Sequence, residues 1–244
     1  MPSAQQNPAQ QNPAQQNPAQ QSPAQQPPAP PGGAAPFVPA DADLDGLRRA
    51  AHDCRGCELY QDATQVVFSS GSAAARVALV GEQPGDQEDR QGAPFVGPAG
   101  KLLDRALEDA GIDRTEAYVT NAVKHFRFVR PERGKRRIHK TPDAVHIAAC
   151  KPWLTAELTI IDPEVVVCLG ATAARALIGP QFRVTKQRGV LIPGPGRLDE
   201  PAARQNPFLL GTVHPSAVLR ADDREAAYQG LVADLRVVAD VLHG

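Results

Sequence analysis

Four short apolar runs set the limits on what this chain can fold into. They are RVALVG at 76–81, AYVTNAV at 117–123, EVVVCL at 164–169 and FLLGTV at 208–213. Each is about the length of one strand, rich in β-branched residues, and without the polar alternation of a strand that faces water on one side. A strand that is apolar throughout is buried on both faces, which is the habit of parallel sheets. The segments between them carry helical spacing. Asp43 to His52 reads as a short helix capped by Asp41 or Asp43, and Lys101 to Ala110 as a helix stopped by Gly111. Asp143 to Ile161 is apolar at helical spacing, with Pro142 in the first turn and Thr141 as cap; Ala171 to Ile178 and Asp223 to His243 complete the set. Arg188 to Ile192 reads as one more strand. Strands alternating with helices predict an α/β fold, a three-layer sandwich with a mainly parallel central sheet flanked by helices.

The first 40 residues do not belong to that pattern. From Ala4 they repeat AQQNP or a close variant every five residues, without charge or apolar periodicity. Such a tract buries too little surface to offset its ordering entropy, so residues 1–40 are expected to be a disordered tail and residues 41–244 one domain. The tail lacks the apolar core of a signal peptide, and no later stretch reaches ~18 uninterrupted apolar residues. These features predict a soluble, cytoplasmic, monomeric protein with no membrane partner.

The charge is uneven. The net charge is −1, yet the run from His125 to Lys140 sets seven Lys and Arg residues against Glu132 alone. Its densest part is Lys135-Arg136-Arg137-Ile138-His139-Lys140. A cationic patch on a nearly neutral protein points to a polyanionic partner at one place, with Lys135, Arg136, Arg137 and Lys140 as candidate phosphate contacts. The bland alternative is a solvated loop.

Four cysteines in such a chain suggest metal or redox chemistry before disulfides. Cys54-Arg55-Gly56-Cys57 is a compact two-ligand claw after a helix, and Cys150 on a later helix offers a third sulfur. Cys168 lies inside an apolar strand and reads as a core residue. The strand at 76–81 runs into a loop rich in Gly and Pro and then a helix, an arrangement in which a ligand can meet backbone N–H groups. The loop has neither the spacing of a dinucleotide fingerprint nor the ending of a P-loop.

GEQPG at 81–85, PFVGPAG at 94–100, TNAVK at 120–124 and HPS at 214–216 resemble the motifs of uracil-DNA glycosylases, specifically the iron–sulfur branch. Gln83 where that branch has a second Gly, His125 where it has a cysteine, and the inserted KRRIH loop resemble its X class, UdgX. The resemblance implies uracil-containing DNA, single-stranded as well as duplex, as partner, and association with the nucleoid through that DNA. It implies that Phe95 stacks on an extruded base within a pocket that includes Gly81 and Gly85. Asn121, with an amide donor and acceptor side by side, reads the uracil edge. His214 donates to uracil O2 as negative charge develops there, with Ser216 among the phosphate contacts. Glu82 stabilises the sugar cation or deprotonates His139, and Gln83 positions the loop or a substrate group. His139 takes the place of the attacking water and becomes covalently linked to the abasic sugar, making the reaction single-turnover. Cys54, Cys57, Cys150 and His125 hold a 4Fe–4S cluster, although the same ligands suit structural zinc. The rival expectations are a hydrolytic glycosylase that turns over, a non-catalytic iron–sulfur nucleic-acid-binding protein, and a zinc-stabilised binding domain.

Overall fold

The computed structural model describes residues 33–131, 136–194 and 207–244. Among these, the strands are β1 (Ser69–Ser70), β2 (Val77–Gly81), β3 (Ala117–Asn121), β4 (Phe128–Val129), β5 (Ile138–His139), β6 (Val165–Leu169), β7 (Leu191–Pro193) and β8 (Phe208–Thr212). The helices are α1 (Leu44–Ala51), α2 (Asp86–Gln91), α3 (Pro98–Ala110), α4 (Ala144–Ile161), α5 (Ala171–Leu177), α6 (Val184–Gln187), α7 (Pro215–Leu219) and α8 (Arg224–His243).

The main sheet has the order β1-β3-β2-β6-β8-β7. Its four central strands are mutually parallel, and only the short edge strands β1 and β7 run antiparallel. The apolar runs of the sequence are these central strands, and β2, β3 and β6 are buried along their whole length. Their side chains divide by alternation. Ala78, Val80, Tyr118, Val166 and Cys168 pack with α1, α4 and α5 on one face. Val77, Leu79, Val119, Val165 and Val167 pack with α3, α7 and α8 on the other. This is the expected three-layer sandwich. At the opposite end from the site described below, Arg76 pairs with Glu164 at 2.7 Å and Glu116 at 3.3 Å, tying the starts of β2, β6 and β3.

Chain order makes one crevice. β2 leads to α3 on one face and β6 leads to α5 on the other, while β2 and β6 are neighbours in the sheet. The chain therefore diverges at the carboxyl ends of β2 and β6, the place where open α/β sheets leave room for a ligand.

Several boundaries differ from the expectation. Residues 33–40 fall within the expected tail, but Ala34 is buried and donates its N–H to the Ala149 carbonyl at 2.8 Å, with Phe37 and Val38 packed on the core behind it. Composition marks this stretch as tail-like; the docking site on α4 is visible only in three dimensions. The rest of the tail, residues 1–32, lies outside the described residues. Helix α4 starts later than expected, with Asp143 as N-cap in place of Thr141. The segment read as a strand from Arg188 begins at Leu191, because Arg188 closes α6 and turns its guanidinium to Asp234 at 2.6 Å. The Gly-rich loop after β2 contains helix α2, whose polar sequence DQEDRQ carries no apolar stripe. Asp43 and Gly111 cap α1 and α3 as the sequence indicates, and Asp223, expected inside the last helix, caps α8. No helix of the described residues is long and apolar enough to cross a membrane.

Candidate active site

The crevice holds a pocket of about 540 Å³, a volume suited to a small ligand. Glu82, Gln83 and Gly85 enter it from the end of β2, Asn121 from the end of β3, and Gly170 and Thr172 from the end of β6. His214 and Ser216 come from the end of β8, Phe95 from the loop before α3, and His139 from β5. Apart from the loop cations, Gly81 and the cysteine set, every expected site residue lines this one pocket.

Two glycines let its wall residues pack closely. A Cβ on Gly81 would lie 2.3 Å from Asn121 Oδ1 and 2.7 Å from Phe95 Cζ, so the amide and the ring close over bare backbone there. A Cβ on Gly100 would lie 1.5 Å from the Phe95 carbonyl oxygen, so α3 can approach the Phe95 backbone only without a side chain at that position. Phe95 itself has φ 56°, a left-handed conformation that bulky residues adopt at a cost. That conformation presents the ring to the pocket, where it stacks with His214 at 5.9 Å between centroids and 28° between planes. Asn121 is 2% exposed, and no described residue hydrogen-bonds its side-chain amide, which leaves donor and acceptor available to a ligand.

His214 is the N-cap of α7. Its Nδ1 accepts the Ser216 backbone N–H at 3.1 Å and lies 2.8 Å from Ser216 Oγ. An Nδ1 that accepts carries no proton, so the neutral ring carries its proton on Nε2. Burial, with help from the Arg220 and His139 charges, pulls the His214 pKa down to about 4. The residue is thus a neutral hydrogen-bond donor at physiological pH, suited to developing negative charge. Ser216, expected among the phosphate contacts, fixes this tautomer.

His139 Nε2 lies 3.3 Å from Glu82 Oε1. The other carboxylate oxygen of Glu82 accepts the Thr172 hydroxyl, which aims the side chain. Burial lowers the His139 pKa; the Glu82 carboxylate opposes that shift and the Arg220 cation reinforces it. The arrangement sets a neutral imidazole beside a carboxylate able to take a proton from it.

Three contacts hold His139 there. β4 and β5 form a hairpin in which Phe128 faces His139. Gln83 Nε2 donates to the carbonyls of Arg127 at 3.1 Å and Lys140 at 3.2 Å, and its Oε1 accepts from Arg127 N–H at 3.1 Å. Gln83 therefore joins both legs of the hairpin. Arg137 lies on the same face as His139 and turns inward. It pairs with Asp86 and Asp89, both at 2.5 Å, reaches Thr64 Oγ1 at 3.1 Å, and sits over the Phe126 and Phe128 rings.

Arg137 thus corrects the expectation that it binds phosphate: its side chain is 8% exposed and its fork is occupied by carboxylates. A sequence displays its charge but not Asp86 and Asp89 one helical turn apart on α2. Arg136 and Lys140 are exposed, as a phosphate contact requires, and Lys135 lies outside the described residues. Sequence reasoning also missed Thr172, Arg220 and Glu88. Glu88 accepts the Gly85 and Gly97 N–H groups at 3.1 and 2.8 Å and so pins both sides of the Phe95 loop. A carboxylate three residues after a glycine N-cap is the signal that could have revealed it.

The cysteine set is brought together in part. Cys54, Cys57 and Cys150 are all buried in one core cluster. Cys54 Sγ accepts Trp153 Nε1–H at 3.2 Å, and Cys150 Sγ accepts Lys124 N–H at 3.3 Å. His125 follows Lys124 and is also buried, with a pKa pulled down to about 4 chiefly by burial. Burial pushes the Cys57 and Cys150 thiols up to about 11 and about 12, each raised further by neighbouring cysteine charge. Buried sulfurs receiving N–H bonds, and a buried neutral imidazole, are donor types that an iron–sulfur centre can use. Among the described residues, no three His, Cys, Asp or Glu side chains converge tightly enough to hold a single metal ion. Cys168 is fully buried in β6, a core residue as expected.

A crevice at a topological switch point, with a stacking ring, a free amide and two neutral imidazoles, suits recognition and activation of a planar heterocycle. The model of the uracil DNA glycosylase superfamily matches residues 68–236, and the chain belongs to that superfamily. It is 38% identical over 173 residues to a Type-4 uracil-DNA glycosylase of Thermotoga maritima, covering 70% of this chain and 81% of the relative. It is also 33% identical over 187 residues to a Type-4 uracil-DNA glycosylase of Pyrobaculum aerophilum, covering 77% and 90%.

Proposed function

We propose that the chain excises uracil from DNA and is left covalently joined to the abasic sugar through His139. The observation that carries this reading is the 3.3 Å approach of His139 Nε2 to Glu82 Oε1, on a hairpin pinned by Gln83 and Arg137. A water-activating carboxylate needs room for water at this point, and here an imidazole stands against it.

In the proposed reaction the extruded uracil stacks on Phe95, and Asn121 pairs with its O4 and N3–H. As the C1′–N1 bond breaks, its electron pair leaves with uracil, and His214 Nε2–H stabilises the charge on O2. The His139 Nε2–H bond gives its proton to Glu82, and the electron pair left on Nε2 forms the new bond to C1′. The uracil anion is then protonated. The product is an alkylated, neutral imidazole with no facile leaving group, so the adduct persists. Arg136 and Lys140 hold phosphates beside the hairpin.

Cys54, Cys57, Cys150 and His125 would hold a 4Fe–4S cluster, which when bound supplies a covalent clasp among the segment after α1, the end of β3 and α4. These residues fasten the root of the hairpin and take no part in bond cleavage.

The test is a denaturing gel after incubation with a uracil-containing oligonucleotide. The proposal expects a shifted protein–DNA band, at most one per protein, that is absent in His139→Ser. Catalytic release of abasic DNA without a shifted band would instead establish the hydrolytic reading.

A further inference from the structure

Behind the pocket lies a charge pair that the proposed chemistry does not use. Lys124 and Glu157 have side chains 1% and 0% exposed and are in direct contact. All three Nζ donors are occupied: by Glu157, by Thr120 Oγ1 at 2.6 Å, and by the Asn121 carbonyl at 3.0 Å. Glu157 also accepts the Tyr118 hydroxyl at 2.7 Å, and Nζ sits 5.0 Å from the centre of the Phe68 ring. A buried ion pair is a weak source of stability, because desolvation offsets most of the attraction, and a well-packed apolar replacement often leaves stability unchanged or raised. What such a pair supplies is a fixed geometry.

The geometry here is specific. β3 ends at Asn121, and the next two residues still pair with the end of β2: Ala122 N–H donates to the Gly81 carbonyl and Val123 N–H to the Glu82 carbonyl, at 2.9 and 3.0 Å. The chain then folds back so that Lys124 reaches the carbonyl three residues behind it. The same residue donates its own backbone N–H to Cys150 Sγ. Lys124 therefore fixes the backbone of the residue whose free amide faces the pocket and ties it to α4, the helix that carries both Glu157 and Cys150.

We propose that the Lys124–Glu157 pair is a positioning device for uracil recognition, setting the place of the Asn121 amide from behind. This rests on the reading of Asn121 as the uracil contact. A shift of a few tenths of an ångström in that backbone moves a paired donor and acceptor off the uracil edge together, while phosphate contacts elsewhere are untouched.

The test uses the full-length protein and the double variant Lys124→Met/Glu157→Leu, in which the pair is replaced by apolar side chains of similar length. Four quantities are read: melting temperature, affinity for free uracil, excision rate, and affinity for uracil-free DNA at fixed salt. The proposal expects a folded protein whose uracil affinity and excision rate fall by about tenfold, the cost of misaligning one hydrogen-bonded pair, with DNA affinity unchanged. A folded double variant that binds uracil as wild type does would overturn it and leave the pair a core contact. If the double variant does not fold, Thr120→Val decides. It removes one acceptor of Nζ and is expected to weaken uracil binding about threefold, a fraction of one hydrogen bond, with DNA affinity unchanged; wild-type uracil affinity in that variant would overturn the proposal. Failure of the wild type itself to bind or excise uracil would contradict the functional reading, a result distinct from either.

Discussion

Gln83 Nε2 lies 3.2 Å from the carbonyl oxygen of Lys140, the residue that follows His139. The same amide group holds Arg127 on the opposite leg of the hairpin by two more hydrogen bonds. A side chain from the pocket end of β2 thereby sets the distance between His139 and Glu82, its own neighbour in sequence. Gln83→Ala leaves one N–H and two carbonyls without this partner and releases the hairpin. The expected result is about a tenfold or greater loss in the single-turnover rate of adduct formation, a 1 Å misplacement being enough to cost this much. Uracil binding, read by competition with the free base, should stay near wild type.

Arg137 and Arg136 are adjacent and should behave oppositely. Arg137→Ala leaves Asp89, 0% exposed, without its cation and should destabilise the protein by about 3–5 kcal/mol, read by chemical denaturation. Arg137→Lys should restore little, because a single ammonium cannot bridge two carboxylates while covering two aromatic rings. Arg136→Ala should leave stability unchanged and weaken DNA binding, reducing the slope of log affinity against log salt by about one.

The contrast between these arginines shows where sequence reading stops. The four central strands were legible because burial on both faces requires apolar runs, and caps such as Asp43 and Gly111 because local backbone geometry selects the residue. The pocket was largely legible through the resemblance, since Phe95, Asn121, His214, Glu82 and His139 meet there. The hairpin was not legible: each of its strands has two residues, and Phe128–Val129 and Ile138–His139 carry no periodicity. Nor was the inward turn of Arg137, the service of Ser216 to His214, or the docking of Ala34 on α4. Each depends on a partner distant in sequence, and composition reports a charge or a small residue without saying what it meets.

Gly81→Ala should remove uracil binding with little effect on DNA binding. The added methyl would overlap Asn121 Oδ1 and Phe95 Cζ, pushing both into the space a base would occupy. An overpacked site of this kind costs typically ~1–3 kcal/mol, so the variant should still fold. Titration with free uracil, followed by intrinsic fluorescence or calorimetry, checks it.

Adduct formation should depend on pH through His139. Burial keeps its folded pKa below the ordinary histidine value. The neutral imidazole therefore persists as pH falls through ~6.5 and is lost only at more acid pH. Fold stability carries a related signature from His214. With its folded pKa at about 4, the native state binds fewer protons than the unfolded state between ~6.5 and about 4, so stability should decline as pH falls across that window. His214→Gln should flatten that part of the curve. Single-turnover rates and denaturation midpoints measured between pH 4 and 8 test both statements.

The most direct measurement is peptide mass spectrometry of the protein after reaction with a uracil-containing oligonucleotide and nuclease trimming of the DNA. The account predicts free uracil equal to the protein consumed and a deoxyribose adduct on the peptide containing His139, localised to its imidazole. An unmodified His139 peptide alongside uracil released in excess of protein would contradict it.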